Sequence, residues 1–193
     1  MFHIKTLIAA LLVVSAASAI AAPVTYTLDP THTYPSFEVD HFNGASVWRG
    51  KFTKSTGNVT LDVVAKTGTL QVTVDASSVQ TGNSLLDKEI GGENMLNAAK
   101  FPTGVYNGTK IVFKGNTPHE VIGTLTLHGV TKALNLTIES FKCYTNPLLK
   151  KDVCGADAKA KFSREDFGVD YGKSFGFQMF TRLEIQVEGI KGD

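Results

Sequence analysis

The sequence predicts an all-β fold, a set of about eight antiparallel strands closed into a barrel or stacked as a sandwich. Three observations predict it. Apolar side chains recur at every second position along most of the chain, which is the period of a half-buried strand. Short turn signals rich in Gly and Asn punctuate these runs. Only one segment, residues 83–99, departs to helical spacing.

Phe37, Val39 and His41 form the first alternating set, followed by Trp48, Gly50 and Phe52. Val59, Leu61 and Val63 repeat it, then Leu70, Val72 and Val74. Val121, Leu125 and Leu127 follow, then Leu134, Leu136 and Ile138. The last run is the clearest. Phe175, Phe177, Met179, Thr181, Leu183, Ile185 and Val187 hold every odd position, which predicts one long strand with an apolar side and a wet side. Turns are expected at Thr56-Gly57-Asn58, Lys66-Thr67-Gly68, Asn107-Gly108, Lys114-Gly115-Asn116 and His128-Gly129. One-sided alternation argues against a parallel sheet, whose strands are buried on both faces.

In the exceptional segment the apolar residues are Leu85, Leu86, Ile90, Met95 and Leu96, with Gly91-Gly92 between them and Phe101-Pro102 closing the stretch. The spacing predicts two short helices, the glycines ending the first. Such an excursion either caps one end of a barrel or packs outside as a crossover.

The N-terminus carries an address. Lys5 precedes an apolar run from Leu7 to Val14, and small residues continue to Ala22. This is the layout of a cleaved secretory signal peptide over residues 1–21, with Ala19-Ile20-Ala21 at the cleavage site. The strictly apolar core is far shorter than the roughly 20 residues of a spanning helix. Residues 22–193 are long enough for one well-buried domain, and no linker or repeat divides them. The chain has 19 basic and 18 acidic residues, and Lys5 leaves with the peptide. A balanced chain without a basic run offers no footprint for nucleic acid. No later stretch reaches transmembrane length, so no stable membrane insertion is expected. In an exported protein the pair Cys143 and Cys154 is expected to form a structural disulfide, and the C-x-x-C spacing of a redox pair is absent.

Catalytic chemistry finds little support. There is no G-x-S-x-G elbow, no P-loop and no H-E-x-x-H, so no catalytic residue and no metal site is assigned. His119 and His128 fall in predicted turns, whereas His41 continues the apolar phase of Phe37 and Val39. An inward His41 is either a hydrogen-bonded core residue or a ligand contact. An eight-stranded barrel is either filled by its side chains or holds one small ligand. The inward phase here offers aromatic and aliphatic groups, so such a ligand is apolar.

Several runs resemble the YceI-like family. They are Tyr26-Thr27-Leu28-Asp29-Pro30-Thr31-His32-Thr33, Phe37-Glu38-Val39-Asp40-His41-Phe42, and Gly123-Thr124-Leu125-Thr126-Leu127-His128-Gly129-Val130. Ala98-Ala99-Lys100-Phe101-Pro102 and Ser163-Arg164-Glu165-Asp166-Phe167-Gly168 are similar to that family's later motifs, so the likeness spans about residues 24 to 190. The segment between Cys143 and Cys154 resembles its disulfide-bearing branch. The resemblance implies a lipocalin-like eight-stranded barrel in the bacterial periplasm. It also implies a long polyisoprenoid lipid in the lumen, a polyprenyl phosphate or a ubiquinone, as ligand rather than cofactor. The tail is then expected against Phe37, Val39, Phe52, Leu125, Leu136, Phe175 and Phe177, with His41 and Trp48 touching it as well. The rival readings are a quinone-linked enzyme or redox and stress protein, and a structural β-domain with a filled core. A homodimer is left open.

Overall fold

The computed structural model describes residues 22–192; the expected signal peptide, residues 1–21, lies outside them. Twelve strands form among the described residues: β1 (Val24–Leu28), β2 (Tyr34–His41), β3 (Ser46–Phe52), β4 (Ser55–Asp62), β5 (Thr67–Asp75), β6 (Val79–Gln80), β7 (Thr103–Lys114), β8 (Thr117–Leu127), β9 (Val130–Ala133), β10 (Leu136–Thr145), β11 (Asp152–Ser163) and β12 (Phe180–Lys191). One helix, α1 (Ser84–Gly91), lies between β6 and β7.

Eight of the strands close a ring in the order β1-β4-β5-β7-β8-β10-β11-β12, all antiparallel, and β12 returns to β1 through Leu28↔Gly189 and Tyr26↔Lys191. The fold is therefore the closed, lipocalin-like barrel rather than the sandwich. Closure removes most of the free sheet edge that invites association, leaving β10 beyond Thr137 paired on one side only. β12 is long enough to serve two partners along one edge. Its last residues pair with β1, while Leu183 and Thr181 pair with Phe37 and Val39 of β2. From β2 the sheet continues through β3 to the short β6, and this flap rises at one end of the ring.

The helix begins where Asn83 Oδ1 accepts the backbone N–H groups of Leu85 and Leu86, satisfying two of the orphan donors of a first turn. It ends at Gly91, with Gly92 as its cap, as the glycines predict. The second predicted helix does not form. Residues 93–99 are a chain of turns closed by Asn97 N–H to Gly92 O and Ala98 N–H to Gly91 O. Ile90 is buried against Phe37 and Val79, with Leu86, Met95 and Leu96 packed around them. The excursion thus lies on the inner side of the flap and covers that end of the barrel.

The last strand also starts later than its alternation predicts, at Phe180. Gly172 and Gly176 take left-handed backbone, φ +88° and +86°, and Lys173–Phe175 between them is a single 3₁₀ turn. Left-handed conformations cannot continue a strand.

Three bulges are built into the wall. Residues 109 in β7, 119 in β8 and 139 in β10 are extra in their ladders, and each flips the inward phase of the strand beyond it. In β7 the inward residues change from Tyr106 to Ile111; in β10 they change from Leu136 and Ile138 to Phe141. Tyr106 ties the wall together from inside. Its ring lies over Gly123, where an added Cβ would meet the phenol oxygen at 2.6 Å, and its O–H donates to Leu134 O at 2.9 Å. Burial pushes this phenol far up from its ordinary pKa, so it remains a donor at all physiological pH. Tyr106→Phe leaves the Leu134 carbonyl short of its donor. It should lower unfolding free energy by about 1–3 kcal/mol in a denaturant titration; an unchanged midpoint would show that the bond is dispensable.

Candidate functional site: an apolar lumen

The barrel is hollow. A cavity of about 650 Å³ runs along its axis, within the ~300–1,000 Å³ typical of small-ligand sites. Inward side chains of every ring strand line it, joined by β2, β3 and α1. The lining is aliphatic and aromatic over almost all its length: Leu61, Leu70 and Val72 on one wall, Leu125, Leu136 and Leu183 on others. β11 contributes Ala156 and Ala158, small residues that leave space where larger ones would fill it.

Polar groups gather at the helix-covered end. Asn83 and Glu89 of the helical segment, Asp40 and His41 of β2, and Arg164 after β11 border the lumen there. Arg164 is 8% exposed and donates to Val169 O and Tyr171 O, both at 2.8 Å. Burial lowers its pKa, opposed by the nearby Asp170 and Glu165 carboxylates, and an arginine so placed stays charged. Its role in the fold is to pin the 164–172 loop to the rim. Asp40 pins the facing turn. Its carboxylate accepts from the backbone N–H of Gln178, and from those of Gly44 and Asn43, which hold it below the usual carboxylate range.

Eight of the nine residues expected at a ligand line this cavity: Phe37, Val39 and His41 on β2, Trp48 and Phe52 on β3, Leu125, Leu136 and Phe177. Phe37 and Phe52 meet at a tilt deep in the flap, with ring centroids 5.7 Å apart. His41 sits nearer the rim with Trp48 at 6.0 Å and Phe177 at 5.3 Å, and its Nδ1 lies 3.3 Å from Ser46 Oγ. Phe175 is a correction. It is 61% exposed, packs edge-on to Tyr171 outside the lumen, and does not line it. The 3₁₀ turn that delays β12 rotates it out of the strand phase. Sequence reasoning missed Tyr106, Arg164, the helical Ile90, and Met95 and Leu96 of the turns that follow, all of which line the cavity. The apolar helical spacing was the one available signal for the last three.

The two cysteines are joined. Cys143 and Cys154 stand directly opposite on β10 and β11, with Cα atoms 4.0 Å apart. His128 occupies the β8–β9 turn at φ +50°, with Nδ1 3.1 Å from Phe167 O and its ring 4.3 Å from that of Phe101; this is a packing role. His119 is exposed at the β8 bulge. Among the described residues no helix is long and apolar enough to cross a membrane.

Closure by eight strands around a ligand-sized, apolar interior defines a lipocalin-like barrel with an open lumen. The chain belongs to the YceI-like family, whose domain matches residues 26–189. A UPF0312 protein of Shewanella putrefaciens is 32% identical over 193 residues, covering 97% of this chain and 98% of that protein. A UPF0312 protein of Vibrio cholerae is 29% identical over 86% of this chain and 87% of its own. Among solved structures, the Campylobacter jejuni YCEI protein matches with a TM-score of 0.64 at 23% identity over 77% of this chain and 87% of that one. A polyisoprenoid binding domain from Saccharophagus degradans matches with a TM-score of 0.61 at 13% identity, over 86% and 98%. At those identities the two structures show the shared fold.

Proposed function

We propose that this protein is a non-enzymatic periplasmic carrier that holds one long-chain polyisoprenoid lipid, of the polyprenyl phosphate or ubiquinone type, in its lumen. The observation that carries the reading is the lumen itself, an apolar cavity of about 650 Å³ threading the barrel. An unfilled apolar cavity forfeits contacts that packing would supply, and a hydrocarbon tail restores them. A C40-class tail would remove several hundred Å² of apolar surface from water, on the order of 10 kcal/mol at about 25 cal/mol per Å² before ordering costs. The polar border of Asp40, His41, Asn83, Glu89 and Arg164 at one end suits a ligand with one polar terminus. The S. degradans neighbour, described as a polyisoprenoid binding domain, supports the same class of ligand. The expected signal peptide and the Cys143–Cys154 bridge favour an oxidising compartment outside the cytoplasm.

Trp48, the single tryptophan of the chain, lines the cavity and reports on it. Adding ubiquinone to delipidated protein should quench its emission saturably at one equivalent, and a polyprenyl phosphate should compete. Emission that responds to neither lipid, with no lipid bound on separation, would defeat this reading.

A further inference from the structure

The end of the barrel opposite the helix is made by three turns, 62–67, 114–117 and 145–152, beside the start of β1 and the end of β12. Their tips combine two features. Aliphatic side chains stand out into solvent: Leu148 is 90% exposed, Val64 74%, Leu149 48% and Val63 42%. Lysines flank them on the same turns, Lys66 after the valines, Lys150 and Lys151 after the leucines, and Lys114 on the third turn, all exposed. Among the described residues near these turns, Asp62 accepts from Ala65 N–H, Asp152 from the Thr145 hydroxyl and Lys191, and Glu188 from the Tyr144 hydroxyl.

The leucine tip is also fixed in shape. Asn146 Oδ1 accepts from Leu148 and Leu149 N–H, Lys150 N–H reaches Asn146 O, and Asn146 N–H reaches Lys151 O. The Cys143–Cys154 bridge lies just below. A rigid apolar tip ringed by cations loses little entropy on meeting a partner.

We propose that this end docks on an anionic lipid bilayer, Leu148, Leu149 and Val64 entering the interface and the lysines meeting lipid phosphates. The cavity wall is thinnest at the same end. β10 pairs with β8 only at Leu136↔Val121 and Thr137↔Glu120, and beyond Thr137 it runs on with β11 alone. In the cleft so opened, Pro118, Ile138 and Phe141 face both the lumen and an outer pocket bordered by Lys114, His119 and Glu139, the last paired with Lys159. A docked barrel thus presents its seam, rather than its ladder, near the membrane. The opposite end exposes Leu85 and aromatics too, but Phe42 packs on Phe177 and Phe175 on Tyr171, and its exposed lysines, Lys88, Lys100 and Lys173, stand among Glu89, Glu93, Glu165, Asp166 and Asp170, so its charge is mixed rather than cationic.

The inference goes beyond cargo binding and is tested apart from it. Exported protein is floated with vesicles of phosphatidylcholine alone or mixed with phosphatidylglycerol. Binding is expected to the mixed vesicles only, and to fall as salt shortens the ~10 Å screening length. Lys66→Glu with Lys150→Glu should weaken it by at least about ten-fold, given roughly five-fold per lysine near an anionic surface. Leu148→Asp with Leu149→Asp should abolish it while the lumen lipid, read by native mass spectrometry, is kept. No flotation with anionic vesicles, flotation unchanged in both variants, loss instead through Phe175→Asp, or a tip that only mediates self-association in sedimentation would each overturn the proposal. Vesicle binding by a chain that retains no lumen lipid would keep it and defeat the carrier reading.

Discussion

Val72→Glu should empty the lumen while leaving the barrel folded. Val72 sits mid-strand on β5, half-buried only because it faces the cavity. In the wild type a hydrocarbon tail would lie against it. A glutamate there would meet hydrocarbon with no partner for its charge, at a cost of several kcal/mol. Lipid affinity should fall by at least about 100-fold, equivalent to roughly 2.7 kcal/mol. Without cargo the same carboxylate faces a space that water can enter, so the penalty to folding is much smaller than in a filled core. The check is lipid content per protein after extraction, beside a thermal melt. Wild-type lipid content in a folded variant would place the ligand elsewhere. Cooperative unfolding lost altogether would mean that the lumen is packed rather than hollow.

Removing the disulfide has the next largest effect, on stability rather than cargo. Cys143→Ala with Cys154→Ala should lower unfolding free energy by about 3 kcal/mol on the loop-entropy argument, or the melting temperature by about 6–12 °C for a domain of this size. The bridge matters more than its short loop suggests, because it fastens a stretch of β10 that β8 does not hold. Differential scanning calorimetry of the double variant, and of the wild type under reductant, checks this. A shift below about 2 °C would show that the β10–β11 ladder is sufficient alone.

The architecture was legible wherever a strand kept one phase. β2, β5, the second half of β8, β12 and β4 from Val59 onward alternate cleanly, and the helical segment stands out by its spacing, but Thr56-Gly57-Asn58 and Asn107-Gly108, expected as turns, lie within β4 and β7. β7 and β11 were hidden for different reasons. A bulge at residue 109 shifts the inward phase of β7, so Tyr106 and Ile111 share a face despite odd spacing. β11 alternates alanine with lysine and aspartate, a pattern whose inward side is too small to register as apolar. Site residues followed the same logic. Those on unbroken strands point inward as their phase requires, whereas Phe175 fails because two left-handed glycines interrupt the run to which it was assigned. Arg164 could not be read as a rim residue from sequence, since its hydrogen-bond partners come from the loop that it organises.

The choice between barrel and sandwich lay outside periodicity altogether. It turns on the three pairs between β1 and β12, at opposite ends of the chain, which close the ring and create the lumen. Whether that lumen carries a lipid is the central question, and the mass of the intact protein answers it most directly. Native mass spectrometry of protein purified after export, followed by denaturation and lipid extraction, should show one polyisoprenoid per chain. Protein that arrives empty, and that stays empty after incubation with polyprenyl phosphate and ubiquinone, would contradict the account.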